Sequence, residues 1–178
     1  DLYIGMKKMT IAIITVLVIL VVFQSFMAIS TNRTEKQAYK VIIKEDGFEI
    51  RYYPPATFAT IQSSAKNYRE LSGNGFRKIA GYIFGNNESS SKIAMTTPVH
   101  MDISDEGSSM SFVMPSAYDM NNLPRPNDAN VQLHQTAGEY VAAIAFGGFA
   151  NDGSIKKYAA ELETALGKKG IKSIGHFR

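Results

Sequence analysis

The sequence predicts an α+β domain made of two β-α-β-β halves that close one distorted, barrel-like antiparallel sheet carrying two helices, preceded by an N-terminal transmembrane helix. Three observations predict it. Asp46-Gly47 separates two β-rich runs at the head of the domain, a strong hairpin signal because Gly tolerates the positive φ of a tight turn. Two stretches of helical periodicity occur, each preceded by a strand pair. After a proline-bearing connector at Asn121 to Asn130 the same order of elements begins again, as in an internal duplication.

Residues 1–9 read as a flank without weight for the fold, with Met6 or Met9 as the expected natural start. Thr10 to Ile29 is uncharged and densely apolar between Ile11 and Phe23, with Lys7 and Lys8 just before it. That is the pattern of a segment entering a membrane with its basic end in the cytoplasm. Phe26-Met27-Ala28-Ile29 extends the run to spanning length and favours an uncleaved anchor, whereas Ala28-Ile29-Ser30 offers the small-x-small pattern of a cleaved signal. Either way the domain is expected outside the cytoplasm, single-pass or secreted. Ser30 to Ala38 is polar and aperiodic and reads as a tether.

Tyr39 to Ile43 and Phe48 to Tyr53 form the expected hairpin, with Phe48, Ile50 and Tyr52 on one face. Pro54-Pro55 ends the second strand, and Thr57 to Ser63 resumes as a third. Asn67 to Phe84 contains a helix, because Phe76, Ile79, Ala80, Ile83 and Phe84 recur at the spacing of one face and Gly85 supplies the stop. In the strand Lys92 to Met101, Ile93, Met95, Val99 and Met101 share one face, while Ala94, Thr96, His100 and Asp102 share the other. Pro98 cannot donate to a ladder, so this strand is expected at an edge or with a bulge. It pairs across Ser104 to Ser108 with Ser109 to Met114. Val131 to Gln135 and Glu139 to Phe146 follow as strands. The second helix is expected over Ser154 to Leu166, with Ser154 as N-cap, Gly167 past its end, and Ile155, Tyr158, Ala159, Leu162 and Leu166 on its buried face. Ile171 to Arg178 reads as the start of another strand. The first half has two strands after its helix and the second only one, so the last strand or strands are expected to be missing.

Composition excludes several functions. Hydrophobic residues make up 45% and charged residues 20% of the 178 positions, a globular balance. Basic residues are interspersed with acidic ones, and Lys156-Lys157 and Lys168-Lys169 accompany a helix that also carries Glu161 and Glu163, so no nucleic acid is expected as a partner. Cysteine is absent, which removes thiolate nucleophiles and Cys-ligated metal or haem. His100, His134 and His176 show no metal-ligand spacing, and no G-x-S-x-G elbow occurs, so neither a catalytic set nor a metal site is expected.

Tyr82-Ile83-Phe84-Gly85-Asn86-Asn87 preceding Ile93-Ala94-Met95-Thr96-Thr97-Pro98-Val99, with Phe48 to Ala56 upstream, resembles the SOUL haem-binding family from about Tyr39 to Arg178. The resemblance implies non-covalent binding of haem or a related tetrapyrrole in an apolar cleft, without catalysis, by a domain whose relatives continue with a further strand. The cleft it suggests lies between the Phe76, Ile79 and Ile83 helix face and Met95 and Met101, though plain core packing accounts for the same residues. Arg51, Arg77, Lys78 and Lys92 adjoin those elements and would supply cations for the propionates, though solvated surface charge accounts for each of them equally. Some SOUL-like proteins carry His in the first strand after the conserved Arg. This sequence has Tyr52 there, which could ligate ferric haem or simply pack in the core. Two other functions remain open: a module for another small amphipathic ligand, since the duplicated order also resembles bacterial effector-binding domains, and a haem-dependent or haem-degrading enzyme.

Overall fold

A computed structural model describes residues 11, 13–25, 34–104, 107–175 and 177. The chain forms two compact units, residues 1–34 and Glu35–Arg178. In the first, residues 13–25 form helix α1. Its apolar side chains from Ile13 to Phe23 are exposed, and the Thr15 and Ser25 hydroxyls donate to the carbonyls of Ile11 and Val21 one turn back. Among the described residues no helix is long and apolar enough to cross a membrane, so the expected span is not seen as one helix. Residues 10, 12 and 26–29 of that span lie outside the described residues.

The second unit contains β1 (Glu35–Lys36), β2 (Lys40–Glu45), β3 (Phe48–Tyr53), β4 (Ala56–Ser63), α2 (Tyr68–Ile83), β5 (Thr96–Thr97), β6 (Val99–Ile103), β7 (Ser108–Val113), β8 (Val131–Thr136), β9 (Glu139–Ala143) and α3 (Asp152–Lys168). The α+β class holds, but the single barrel-like sheet does not. The strands form two antiparallel sheets, β2-β3-β9 and β6-β7-β4-β8, and a separate parallel pair, β1-β5. Pro54 and Pro55 explain the split, since neither can donate to a ladder at the point where β3 gives way to β4. The chain crosses between the sheets there and again between β8 and β9, so that β3 pairs with β9 while β4 pairs with β8. Glu35 and Lys36, read from sequence as tether, are bound to Thr96 and Thr97 in β5.

Both helices end in the same way. After α2, Gly85 adopts a φ of +113° while Asn86 donates to Gly81 and Gly85 to Tyr82. After α3, Gly170 adopts +68°, Ile171 donates to Leu166 and Gly170 to Gly167. This is the Schellman arrangement, in which the left-handed residue lets two amides return to the last carbonyls. It corrects two expectations. Gly170 rather than Gly167 stops the second helix, and Ile171 returns to its end and packs against the Phe48, Leu162 and Leu166 cluster instead of starting a strand. The N-cap is Asn151 rather than Ser154. The two side chains form a reciprocal capping box, with each accepting the other's backbone N–H at 3.0 Å.

Helix α2 lies on β4 and β7, and Leu71, Ile79, Tyr82 and Ile83 join Ala59, Ile61, Met110 and Phe112 in the main core. Its buried stripe is rotated from the expected one. Phe76 and Phe84, placed on the inner face by periodicity, are 40% and 58% exposed, whereas Gly75 is buried. A glycine allows the closest approach of helix to sheet, and a Cβ there would lie 3.1 Å from Ile61 Cδ1 and 3.3 Å from Met110 Cε. Gly75→Leu is therefore expected to destabilise the domain by about 1–3 kcal/mol through overpacking, read as a lower urea midpoint.

Candidate ligand-binding surface

The alternation in β6 decides what each side of its sheet offers. Val99, Met101 and Ile103 pack against the core under α2, which leaves His100 and Asp102 on the opposite face. Val99 pairs with Phe112 and Met101 with Met110 on β7, and the Phe76 ring lies 5.4 Å from that of Phe112. Because β6 is the edge strand, no further strand among the described residues covers the outer side of this contact. The flank of α2 toward β6 thus presents Phe76 over Phe112, beside half-buried Val99 and Met101. Met95, which is 36% exposed, lies on the segment that Ile93 ties to the end of α2 by donating to Ile83.

The cations divide between flanks. Arg69 precedes Phe76 by seven residues, two helical turns, and so shares its side of α2; Arg77 is the next residue outward, and both are exposed. Lys78 lies on the other flank, near Asp128 before β8. The Asp128 carboxyl is held below its usual range by hydrogen bonds from the Asn130 backbone and side chain, with a smaller contribution from Lys78.

The structure does not bring all seven sequence-predicted residues together. Phe76, Arg77 and Met95 are exposed, and Met101 is half-buried on the edge strand β6. Ile79 and Ile83 are fully buried in the core beneath it, so they support the surface without facing it. Tyr52 belongs to the other sheet, on the face whose Phe48 and Ile50 pack toward α3. Its ring pairs with Tyr140 at 5.1 Å and its hydroxyl fills the space that a Cβ at Gly138 would need. Tyr52→Phe is accordingly expected to leave a hemin difference spectrum unchanged. Arg51 is engaged with Glu49 at 2.9 Å and stacks over Tyr39. Two hollows, one beside α3 and one on the outer face of the second sheet, are lined by none of the seven. Among the described residues no group of three or more His, Cys, Asp or Glu side chains is placed to hold a metal ion.

Sequence reasoning missed Arg69, whose signal was the seven-residue spacing, and Asn87, which carries the loop after α2. Asn87 is 1% exposed; its Nδ2 donates to the carbonyls of Tyr82 and Ser91, and its Oδ1 accepts from the Ser91 amide and the Ser89 hydroxyl. Thr96 donates through Oγ1 to the Val113 carbonyl, which fixes β5 against β7. Tyr82 is buried, with its hydroxyl donating to Pro124 at 2.9 Å. Burial, and then the nearby Tyr118, push its pKa up to about 12. The unfolded chain ionises this phenol near its ordinary value of 10, so the stability its neutral form contributes is present below pH 10 and lost as pH rises toward 12. Tyr82→Phe is expected to flatten that alkaline loss, measured as the urea midpoint against pH.

A family model described as SOUL heme-binding protein matches residues 34–177. Heme-binding protein 1 of Sus scrofa is 28% identical over 143 residues, 74% of this chain and 75% of that protein. Heme-binding protein 1 of Xenopus laevis is 28% identical over 133 residues, 70% of each chain. Heme-binding protein 2 of Homo sapiens is 28% identical over 130 residues, 69% of this chain and 63% of that protein.

Proposed function

The chain belongs to the SOUL heme-binding protein family, and on that premise we propose that its domain binds haem or a related tetrapyrrole on the β6 flank of α2, without transforming it. The observation that carries the location is an aromatic and thioether surface left open at a sheet edge beside two guanidiniums. One face of the macrocycle covers Phe76, Met95, Val99 and Met101, and the propionates reach Arg69 and Arg77. Covering on the order of 100 Å² of apolar protein surface supplies about 2.5 kcal/mol, with further contributions from the charge pairs.

The groove of about 550 Å³ between α3 and the β2–β3 turn is large enough for a ligand, but its chemistry opposes a dianion. Glu45, Asp46 and Glu161 outnumber Lys168 and Lys169 in its lining, and the Lys169 ammonium is already bonded to Glu45 at 2.6 Å. Titration of the purified domain with hemin tests the proposal. A saturable Soret shift with one-to-one stoichiometry is expected, and the band should persist under reductant and oxygen. A rise that never saturates would favour a module for some other ligand, and bleaching of the band would favour a haem-degrading enzyme.

Residues 10–29 hold the domain at a membrane, on its extracytoplasmic side, in the same proposal. The uncharged run behind Lys7 and Lys8 and the exposed apolar side chains of α1 support it. Expressed with its leader, the protein should stay in the membrane pellet through alkaline carbonate extraction, and its release would refute the attachment.

A further inference from the structure

Strand β2 is the outer edge of sheet β2-β3-β9, and among the described residues no strand pairs with its free side. Tyr39 and the β2 residues Val41, Ile42 and Ile43 are each at least 40% exposed, and no other part of the described second unit exposes consecutive large apolar side chains. Lysines punctuate the same stretch at Lys36, Lys40 and Lys44, all three exposed. Lys36 and Lys40 form no ion pair among the described residues, and Lys44 reaches Glu49 only at 3.7 Å. The acids of β1, β2 and β3 are engaged elsewhere. Glu45 holds Lys169 at 2.6 Å, Glu49 holds Arg51 at 2.9 Å, and Glu35 accepts from the Ser116 amide.

An exposed apolar edge can meet another strand or a lipid surface. This one is built against the first. The register slips between Val41 and Ile43, which leaves Ile42 without an opposite residue on β3, and a bulge flanked by lysines is what keeps an edge from adding a strand. The same composition suits the second, because aromatic and branched side chains enter the headgroup boundary while lysines meet anionic headgroups. We propose that β2, with Lys36 and Tyr39, docks on an anionic lipid surface. The inference rests on the membrane attachment of residues 10–29 proposed above. Ten residues separate Ile29 from Lys40, so a bilayer that holds the one keeps the other within about 40 Å.

The chain has no tryptophan, so Ile42→Trp gives the whole protein a single indole on the proposed surface. With vesicles of phosphatidylcholine and phosphatidylglycerol its emission should move to the blue and be quenched by brominated acyl chains. With phosphatidylcholine alone it should stay at the wavelength of an indole in water. Lys40→Glu combined with Lys44→Glu should remove the shift, and Tyr39→Trp reports the same contact if Ile42→Trp does not fold. An unmoved emission, an equal shift with both kinds of vesicle, or a shift that survives the two Glu substitutions would each overturn the proposal. So would a blue shift without vesicles that grows with protein concentration, which would assign the edge to a second copy of the chain. Flotation of the same samples reads the attachment separately: protein that floats with an unmoved indole keeps its anchor and loses the docking.

Discussion

Asn87→Ala is expected to lower the unfolding free energy by about 3 kcal/mol, one of the larger effects a single polar residue can have in a domain of this size. The side chain is completely enclosed and makes four hydrogen bonds, two as donor and two as acceptor. Each contributes about 1 kcal/mol net, and truncation leaves the amide and carbonyl of Ser91 without their side-chain partner in a place of little solvent access. Asn87→Asp should cost at least as much, because a carboxylate cannot donate to the Tyr82 and Ser91 carbonyls. Urea unfolding of both variants measures this. A loss under about 1 kcal/mol in each would mean that water takes over the loop's hydrogen bonds.

Phe76→Asp is expected to weaken hemin binding by at least about tenfold while lowering the urea midpoint less than Ile79→Asp does. The side chain is 40% exposed, so its removal takes less from the core than loss of Ile79 or Ile83 would. It also sets a negative charge between Arg69 and Arg77, where the propionates are proposed to sit. The same substitution at Ile79 should unfold the domain, which distinguishes a residue that faces ligand from one that supports the surface. Retention of full affinity by folded Phe76→Asp would move the site off this flank.

Local signals in the sequence located the elements well, because each depended on a few adjacent residues. Asp46-Gly47 marks a real hairpin, with Gly47 at a φ of +93°, and Gly85 ends α2. Pro98 does precede an edge strand. Errors arose where distant residues decide. Periodicity places the stripe of α2 to within one residue, but a glycine carries no apolar side chain to mark it, and the buried Gly75, where a Cβ would crowd Ile61 and Met110, belongs to the stripe in place of Phe76. Tyr52 lies in the β2-β3-β9 sheet while Phe76 lies on α2, which packs on the other sheet, and no adjacent residue encodes the β3–β9 and β4–β8 pairings that separate them. Asn87 lay inside the recognised string, yet its burial follows from the path of the loop around it. The signature residues Tyr82, Asn87, Ile93 and Thr96 all serve packing or hydrogen bonding, which is why they identify a family more securely than a ligand contact.

Amide chemical-shift mapping with diamagnetic gallium protoporphyrin IX tests the proposed location most directly. The account predicts perturbations grouped on Arg69 to Ala80 of α2, on Met95, and on Val99 to Ile103 of β6, with Tyr52 and α3 unmoved. Perturbations grouped instead on Glu45 to Phe48 and Ala160 to Lys169 would contradict it.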